Sequence, residues 1–181
     1  DSFTTKLPVI TKWVVDSSID NGRDKVTIGE KVIYGVNVTL PVGNYTKLVI
    51  KDTLPQGFEY IGAGAFYANG TKLVNGKDWT VNVNNYDITI TVNNVHSSNF
   101  ANGILSINLT ARPTIFDPSN KEGAVKVNNV ELFLNDETMG KSSAKVTIVE
   151  PTADITKKFN VTEVEGLDHV SFDVIVKNNG K

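Results

Sequence analysis

Three polar side chains stand in strands that are otherwise largely apolar, and together they could form a covalent bond. Lys12 lies within VITKWVV, Asp52 ends the run LVIKD, and Asn128 lies within VKVNNVELFL. In a water-free core, desolvation lowers the pKa of a lysine and raises that of an aspartate. The neutral amine is then a nucleophile, and the protonated carboxyl can polarise an asparagine amide. Such a set could release ammonia and leave an amide cross-link between strands.

Strand parity indicates where Asp52 points but not where Lys12 points. Asp52 shares a strand face with Leu48 and Ile50, whereas Lys51 lies on the opposite face,. Asp52 is therefore predicted to point inward. The strand around Lys12 is apolar on both faces, so parity leaves the orientation of this lysine open.

Parity also separates two neighbouring asparagines. Asn128 shares its face with Val130, and Asn129 shares its face with Glu131,. Asn128 is the inward candidate, and Asn129 is the fallback if a β-bulge shifts the register. The alternative for the lysine, the aspartate and the asparagine alike is that they are ordinary polar residues of a surface or a turn.

No other set of residues has the spacing of a catalytic or metal-binding site. His96 and His169 are far apart in sequence and lack a zinc-binding motif,. GAGAF at 62–66 lacks the context of a nucleotide loop and is typical of a turn or a bent edge strand. The aspartates near Gly22 do not have calcium-loop spacing. We therefore expect no metal, no cofactor and no enzyme activity beyond a single self-cross-linking turnover.

The composition indicates a folded domain and excludes several partner classes. Of 181 residues, 40% are hydrophobic and 21% are charged, and the net charge is -2 with a pI near 5.7. Lysines and acidic residues alternate without clustering, so we expect no nucleic-acid partner. No apolar run approaches the roughly 20 residues that cross a bilayer. The chain has no cysteine, which excludes disulfides and thiol chemistry,.

Short runs of alternating polarity, separated by Gly, Asn, Asp and Pro, predict an all-β fold. The pattern favours an antiparallel Ig-like β-sandwich. Only 96–101 admits a short helical turn, and a loop suits that segment equally well. The predicted strands are 9–15, 24–28, 31–40, 46–52, 57–61, 79–83, 86–92, 103–111, 125–134 and 143–149.

The last part of the chain repeats features of its beginning. ITKW at 10–13 recurs as ITKK at 155–158, and VIYGVNVTLP at 32–41 is echoed by VSFDVIVKNNG at 170–180,. We therefore predict a leader or linker at 1–8, a sandwich domain at 9–150, and the truncated start of a second tandem β-sandwich at 151–181.

The order of ITKW, IGEKVIYGVNVTLP, LVIKDTLPQGFEYI and VNNVELFL resembles the fimbrial isopeptide-forming domain of Gram-positive pilins and the related collagen-adhesin-type domains. The resemblance spans about 9–149 and implies that Lys12 is the nucleophile, Asn128 the acceptor and Asp52 the assisting acid. In the second repeat, Lys157 would take the place of Lys12. The sequence has no Y-P-K-N motif, E-box or L-P-x-T-G signal, which weakens the case for a sortase-polymerised pilus.

This resemblance implies a structural stalk or adhesin segment of a microbial cell-surface protein, extracellular and associated with a cell wall or S-layer. Its expected partners are neighbouring tandem domains of the same protein. The alternative is a ligand-binding adhesin module that recognises a host glycan or matrix protein, and a weaker alternative is an accessory domain of a secreted enzyme.

Overall fold

The computed structural model describes residues 7–17, 23–41, 45–64, 66–68, 70–93, 103–151, 153–159 and 172–178. These residues contain no helix of the length and apolarity needed to cross a membrane. Their strands are β1 (Val9–Ser17), β2 (Lys25–Thr27), β3 (Val32–Thr39), β4 (Leu48–Thr53), β5 (Phe58–Ala63), β6 (Phe66–Ala68), β7 (Thr71–Leu73), β8 (Trp79–Asn84), β9 (Asp87–Val92), β10 (Ile104–Pro113), β11 (Val125–Leu134), β12 (Glu137–Val149), β13 (Ala153–Phe159) and β14 (Phe172–Asn178).

Alternation along the strands produces the buried face of each sheet. In β10 and β11 every second side chain is buried, as a pleated strand with one face on a core requires,. Tight turns join the hairpins: Asn85 connects β8 to β9, and Asn135 and Asp136 connect β11 to β12, all with positive φ. Asn and Asp tolerate this conformation better than other non-glycine residues, which accounts for their positions here.

Two six-stranded sheets enclose the core. One has the order β1-β3-β10-β6-β7, with β5 also paired to β10, and the other has the order β2-β12-β11-β4-β9-β8. Aliphatic side chains from both inner faces fill the space between them,. The predicted Ig-like β-sandwich is therefore confirmed.

The first and last strands of the sandwich run side by side in the same direction. The backbone N–H of Lys12 donates to Oγ of Ser142 at 2.9 Å, and Ile10 packs against Gly140 two residues earlier on each strand. Farther along, β2 pairs with β12 in parallel, with Lys25 opposite Thr147. The sandwich is thus antiparallel except where its N-terminal and C-terminal strands meet.

All ten predicted strands are present, with two differences. The hairpin β6–β7 was missed, since each strand has only three residues and Gly70 lies between them. Strand β12 begins at Glu137, well before the predicted start at 143, because the Asn135 turn lets it pair along all of β11. The helical turn considered at 96–101 lies outside the described residues.

Residues 153–159 and 172–178 form a separate two-stranded sheet. Its register matches that of the antiparallel pair β1 and β3 in the sandwich: Lys157 lies opposite Val174, as Lys12 lies opposite Val36. The sequence repeat aligns these same pairs. Residues 174–176 of β14 are all exposed, so this part of β14 buries little apolar surface.

Candidate cross-linking site

The structure settles the orientation of Lys12, which the sequence left open. Ile10 and Lys12 lie on the buried face of β1, whereas Thr11 and Trp13 face outward. A glycine on the neighbouring strand makes this possible, because the Trp13 indole lies across Gly35. A Cβ at that position would be 2.5 Å from the ring. The tryptophan is accommodated outside, and the lysine points into the core.

Asp52 points into the core from the opposite sheet. Its strand, β4, lies between β11 and β9, and Asp52 itself lies opposite Val130 and Ile88. Its exposed fraction is 0%, whereas the adjacent Lys51 is exposed. The inward orientation expected from parity is what the structure has.

Lys12 and Asp52 form an ion pair across the two sheets. The Lys12 amine donates a hydrogen bond to Oδ2 of Asp52, and both side chains are fully buried. On another side, Nζ of Lys12 lies 4.8 Å from the centre of the Tyr34 ring, a cation–π distance,. The amine is therefore held by a carboxylate and an aromatic face.

Asn128 is fully buried on β11, and Asn129 is exposed on the outer face. Asn128 precedes Val130 by two residues on the same face, so it is a diagonal neighbour of Asp52 across the β4–β11 pairing,. Burial raises the pKa of Asp52, and interaction with the nearby Asn128 amide is one of the causes that oppose this rise, although the two side chains do not complete a hydrogen bond of ordinary geometry. The structure therefore brings Lys12, Asp52 and Asn128 to one buried site and leaves Asn129 outside it.

Burial shifts the two ionisable groups of the pair in opposite directions. Desolvation lowers the pKa of Lys12, and the charge and hydrogen bond of Asp52 only partly oppose it. Desolvation raises the pKa of Asp52, opposed by Lys12 and by the Asn128 amide. Both shifts favour transfer of a proton from the ammonium to the carboxylate. They thus favour a neutral amine beside a protonated acid.

Several polar atoms around this pair have no hydrogen-bond partner among the described residues. They are Oδ1 of Asp52, both side-chain polar atoms of Asn128, and the hydroxyl of Tyr34. A buried polar atom without a partner destabilises the fold by roughly 1–3 kcal/mol. Four such atoms so close together are unusual for a protein core.

Tyr34 is the part of this site that the sequence analysis missed. The position of Tyr34 in VIYGVNV predicts only a buried core residue. The sequence of this strand alone does not indicate which residue of β1 the tyrosine contacts. The register of β1 against β3, with Lys12 opposite Val36 and Val14 opposite Tyr34, is what brings the ring to the amine. Tyr34 could therefore have been identified only from the pairing of β1 with β3, and not from a sequence motif.

Among the described residues, the other side chains with possible chemistry do not cluster into a second site. His96 and His169 lie outside the described residues, and no group of three potential metal ligands occurs among those described. The described part of the GAGAF segment, residues 62–64, lies at the end of β5: the β5–β10 pairing shifts register near Ile61, and the Gly64 N–H donates to the Asn108 carbonyl at 2.7 Å,.

Similarity to known proteins lies in the fold. No protein-family model matches the sequence, and no curated protein matches it. Among solved structures, the N-terminal domain of the Streptococcus gordonii adhesin Sgo0707 superposes with a TM-score of 0.63 at 13% identity, over 79% of this chain and 32% of that one.

Two pilins are also similar. The 35 kDa C-terminal fragment of the major pilin GBS80 of Streptococcus agalactiae has a TM-score of 0.59 at 17% identity, covering 83% of this chain and 58% of that one. The full-length major pilin SpaD from Corynebacterium diphtheriae has a TM-score of 0.60 at 15% identity, covering 83% and 36%. The chain has the fold of Gram-positive pilin and adhesin domains, and it spans less than two thirds of each of these proteins.

Proposed function

We propose that this chain is a non-enzymatic structural segment of a microbial cell-surface protein, a stalk or pilus-like element that holds other parts away from the cell. The support is the shared fold of pilin and adhesin domains, together with a buried reactive set in a chain without cysteine. Its partners are then the neighbouring domains of the same surface protein, and its location is extracellular.

The finer proposal is an autocatalytic isopeptide bond between Lys12 and Asn128, assisted by Asp52. The observation that carries it is the Lys12–Asp52 pair, fully buried beside an Asn128 side chain whose polar atoms lack partners among the described residues. A buried ion pair seldom stabilises a fold more than apolar residues of similar volume would. A chemical role explains why this core has one.

The reaction can be written with all atoms accounted for. The Lys12 ammonium passes a proton to Asp52, and the neutral amine attacks Cγ of Asn128 while the carboxylic acid hydrogen-bonds to the amide oxygen. The tetrahedral intermediate loses its original nitrogen as ammonia, and protons relayed by Asp52 complete that leaving group. The C–N bond to Nδ2 breaks, a C–N bond to Nζ forms, and no oxidant or cofactor takes part.

The bond would matter because of where the ends of the sandwich lie. Since β1 and β12 are parallel neighbours, tension on the two ends of the domain loads them in shear. Tension from the N-terminal end enters the domain at β1, and tension from the C-terminal end enters at β12, which pairs with β11. A bond from β1 to β11 would therefore connect the two loaded parts of the domain directly. The polypeptide between the bonded residues would then carry no load.

Intact-mass spectrometry of the purified chain tests this proposal. Formation of the bond removes ammonia, so the measured mass should be about 17 Da below that of the sequence. Proteolysis should then yield one branched peptide that contains both Lys12 and Asn128. A full unmodified mass, or a branched peptide through Asn129, contradicts the assignment.

We also propose that 151–181 begins a second tandem domain. The support is the repeated register, with Lys157 opposite Val174 in a separate sheet. If this is correct, a shortened chain that ends at Glu150 keeps the unfolding midpoint and the mass loss of the full chain. A clear fall in the midpoint would instead make the hairpin part of the first domain.

A binding role is the second candidate, and one surface feature favours it. Trp13 is 40% exposed and its indole lies over Gly35, with the exposed Asn108 directly opposite that glycine on β10. An exposed aromatic face beside an amide suits the stacking of a sugar ring. Glycan-array binding that Trp13→Ala abolishes would support a binding module, and consistent absence of binding to glycans and matrix proteins would leave the stalk.

A further inference from the structure

Tyr34 occupies a central place on the inner face of β3. Its exposed fraction is 0%, and it is among the largest fully buried side chains. Since Val14 lies opposite Tyr34 and Lys12 lies opposite Val36, the tyrosine is the diagonal neighbour of the lysine on the same face. Diagonal neighbours are within reach of long and aromatic side chains.

The ring restricts where the Lys12 amine can lie. A lysine side chain has four rotatable carbon–carbon bonds, and burial alone does not select one position for Nζ. Here the amine has Asp52 as its hydrogen-bond acceptor and the face of Tyr34 at 4.8 Å. After the proton moves to Asp52, the charge that joined the pair is gone. The ring remains and still excludes water and alternative rotamers.

The hydroxyl of Tyr34 takes no part in holding the lysine. It has no hydrogen-bond partner among the described residues. Burial, with a smaller contribution from the Asp52 charge, raises its pKa, so the ring stays uncharged at ordinary pH. The contact with Lys12 is therefore made by the aromatic face, which phenylalanine would also supply.

We propose that Tyr34 is a positioning residue for the cross-link, whose ring seats the Lys12 amine for attack on the Asn128 amide. This rests on the proposed Lys12–Asn128 bond. Misplacing a reacting group by about 1 Å can slow a reaction by about 100-fold. Loss of the ring should therefore slow bond formation, while loss of the hydroxyl alone should not.

The test compares Tyr34→Phe and Tyr34→Leu with the unaltered chain and with Phe58→Leu. Phe58 is a buried aromatic that belongs to the core and not to the site, so its variant measures the effect of a loosened core. Each chain is made by cell-free synthesis, quenched in acid at intervals, and assayed by intact mass for the fraction that has lost ammonia. Expected rates are within about twofold of the unaltered chain for Tyr34→Phe and Phe58→Leu, and at least about tenfold slower for Tyr34→Leu.

The outcomes separate the two proposals. If the unaltered chain keeps its full mass, both the cross-link and the role of Tyr34 are wrong. If it loses ammonia and Tyr34→Leu keeps pace with it, only the positioning role is wrong. If Tyr34→Phe is as slow as Tyr34→Leu, the hydroxyl and not the ring is responsible, which also overturns the proposal.

An NMR measurement covers the case in which Tyr34→Leu does not fold. In Asn128→Ala, which lacks the acceptor, the ε-methylene protons of Lys12 should show nuclear Overhauser contacts with the Tyr34 ring and an upfield ring-current shift. Absence of both would contradict the seating of the amine whether or not any bond forms.

Discussion

The amine of Lys12 and the carboxylate of Asp52 meet in the core from opposite sheets of the sandwich, one on β1 and the other on β4. Both side chains are fully buried. Each group is therefore charged only because the other is present, and each can lose its charge by moving a single proton. Because the charge of each group depends on the other, substitution of either residue should change the protonation state of its partner.

Removing the carboxylate should prevent the bond and also destabilise the fold. Asp52→Ala leaves Lys12 buried without an opposite charge, and breaking a buried pair in this way costs about 3–5 kcal/mol. The mass of the purified variant should be the full sequence mass, and urea denaturation should give the loss of stability. The double variant Lys12→Met with Asp52→Ala is the control, and it should recover part of that loss because no charge remains buried.

Asn128→Ala and Asn129→Ala form a matched pair. They are adjacent on β11, one fully buried and the other exposed. Asn128→Ala should retain the full mass and lose about 4–5 kcal/mol of stability, the effect expected when a link closing a loop of about 115 residues is absent. Asn129→Ala should lose about 17 Da as the unaltered chain does, and should unfold at nearly the same denaturant concentration. Equal behaviour of the two variants would contradict the proposed acceptor.

These positions differ in how far the sequence could locate them. Asp52 and Asn128 stand in strands with one clearly apolar face, so a period of two was enough to turn them inward. Lys12 stands between apolar neighbours on both faces, and its direction depends on Gly35 in another strand. Only the absence of a Cβ there lets the Trp13 indole lie outside. Information of that kind lies in the strand pairing and not in either strand alone.

The accuracy with which the strands can be predicted from the sequence has similar causes. Long strands with steady alternation were predicted closely, and β11 was predicted to the residue. The hairpin β6–β7 is too short for alternation to be visible, and the parallel contact of β2 with β12 joins residues from the two ends of the domain. The packing of the two sheets determines this contact, and the sequence of either strand alone carries no sign of it.

The stability of Asp52→Asn should depend on pH in a predictable direction. Desolvation lowers the pKa of Lys12 and Asp52 opposes this, so removing the carboxylate leaves only the lowering cause. Between the lowered pKa and the ordinary value near 10.5, the unfolded chain binds one more proton than the folded chain. Stability should therefore rise as pH increases from 7 to 9.5, by at most about 1.4 kcal/mol per pH unit.

Urea denaturation at several pH values measures this slope, with the double variant Lys12→Met and Asp52→Asn as the control. Tyr34 is the other ionisable group in the pocket, and its raised pKa keeps it protonated throughout this range. The control should lack the rise. A slope that is equal in both proteins, or one of opposite sign, would show that Lys12 is not desolvated.

Gly35→Ala should disturb the site from the outside of the sheet. The added Cβ would lie 2.5 Å from the Trp13 indole, so the ring must move, and overpacking of this kind costs about 1–3 kcal/mol,. Gly62→Ala is the matched control, because Gly62 is also in a strand, has no positive φ, and has nothing within 4 Å of its Cβ position. Tryptophan fluorescence and thermal denaturation should both change for the first variant only. Similar effects from the two would argue against close packing of Trp13 on Gly35.

The cross-link should limit how far the domain extends under tension. With Lys12 joined to Asn128, the roughly 115 residues between them cannot be stretched,. The bond therefore shortens the extensible length of the chain by about 390 Å. In single-molecule pulling between the two ends, the unaltered chain should release only the segments outside the bond, whereas Asn128→Ala should show an added extension of that size. Asn129→Ala should behave as the unaltered chain does. The unaltered chain and Asn128→Ala are therefore distinguished by their extension. A full-length extension of the unaltered chain would mean that no bond bears the load between β1 and β11.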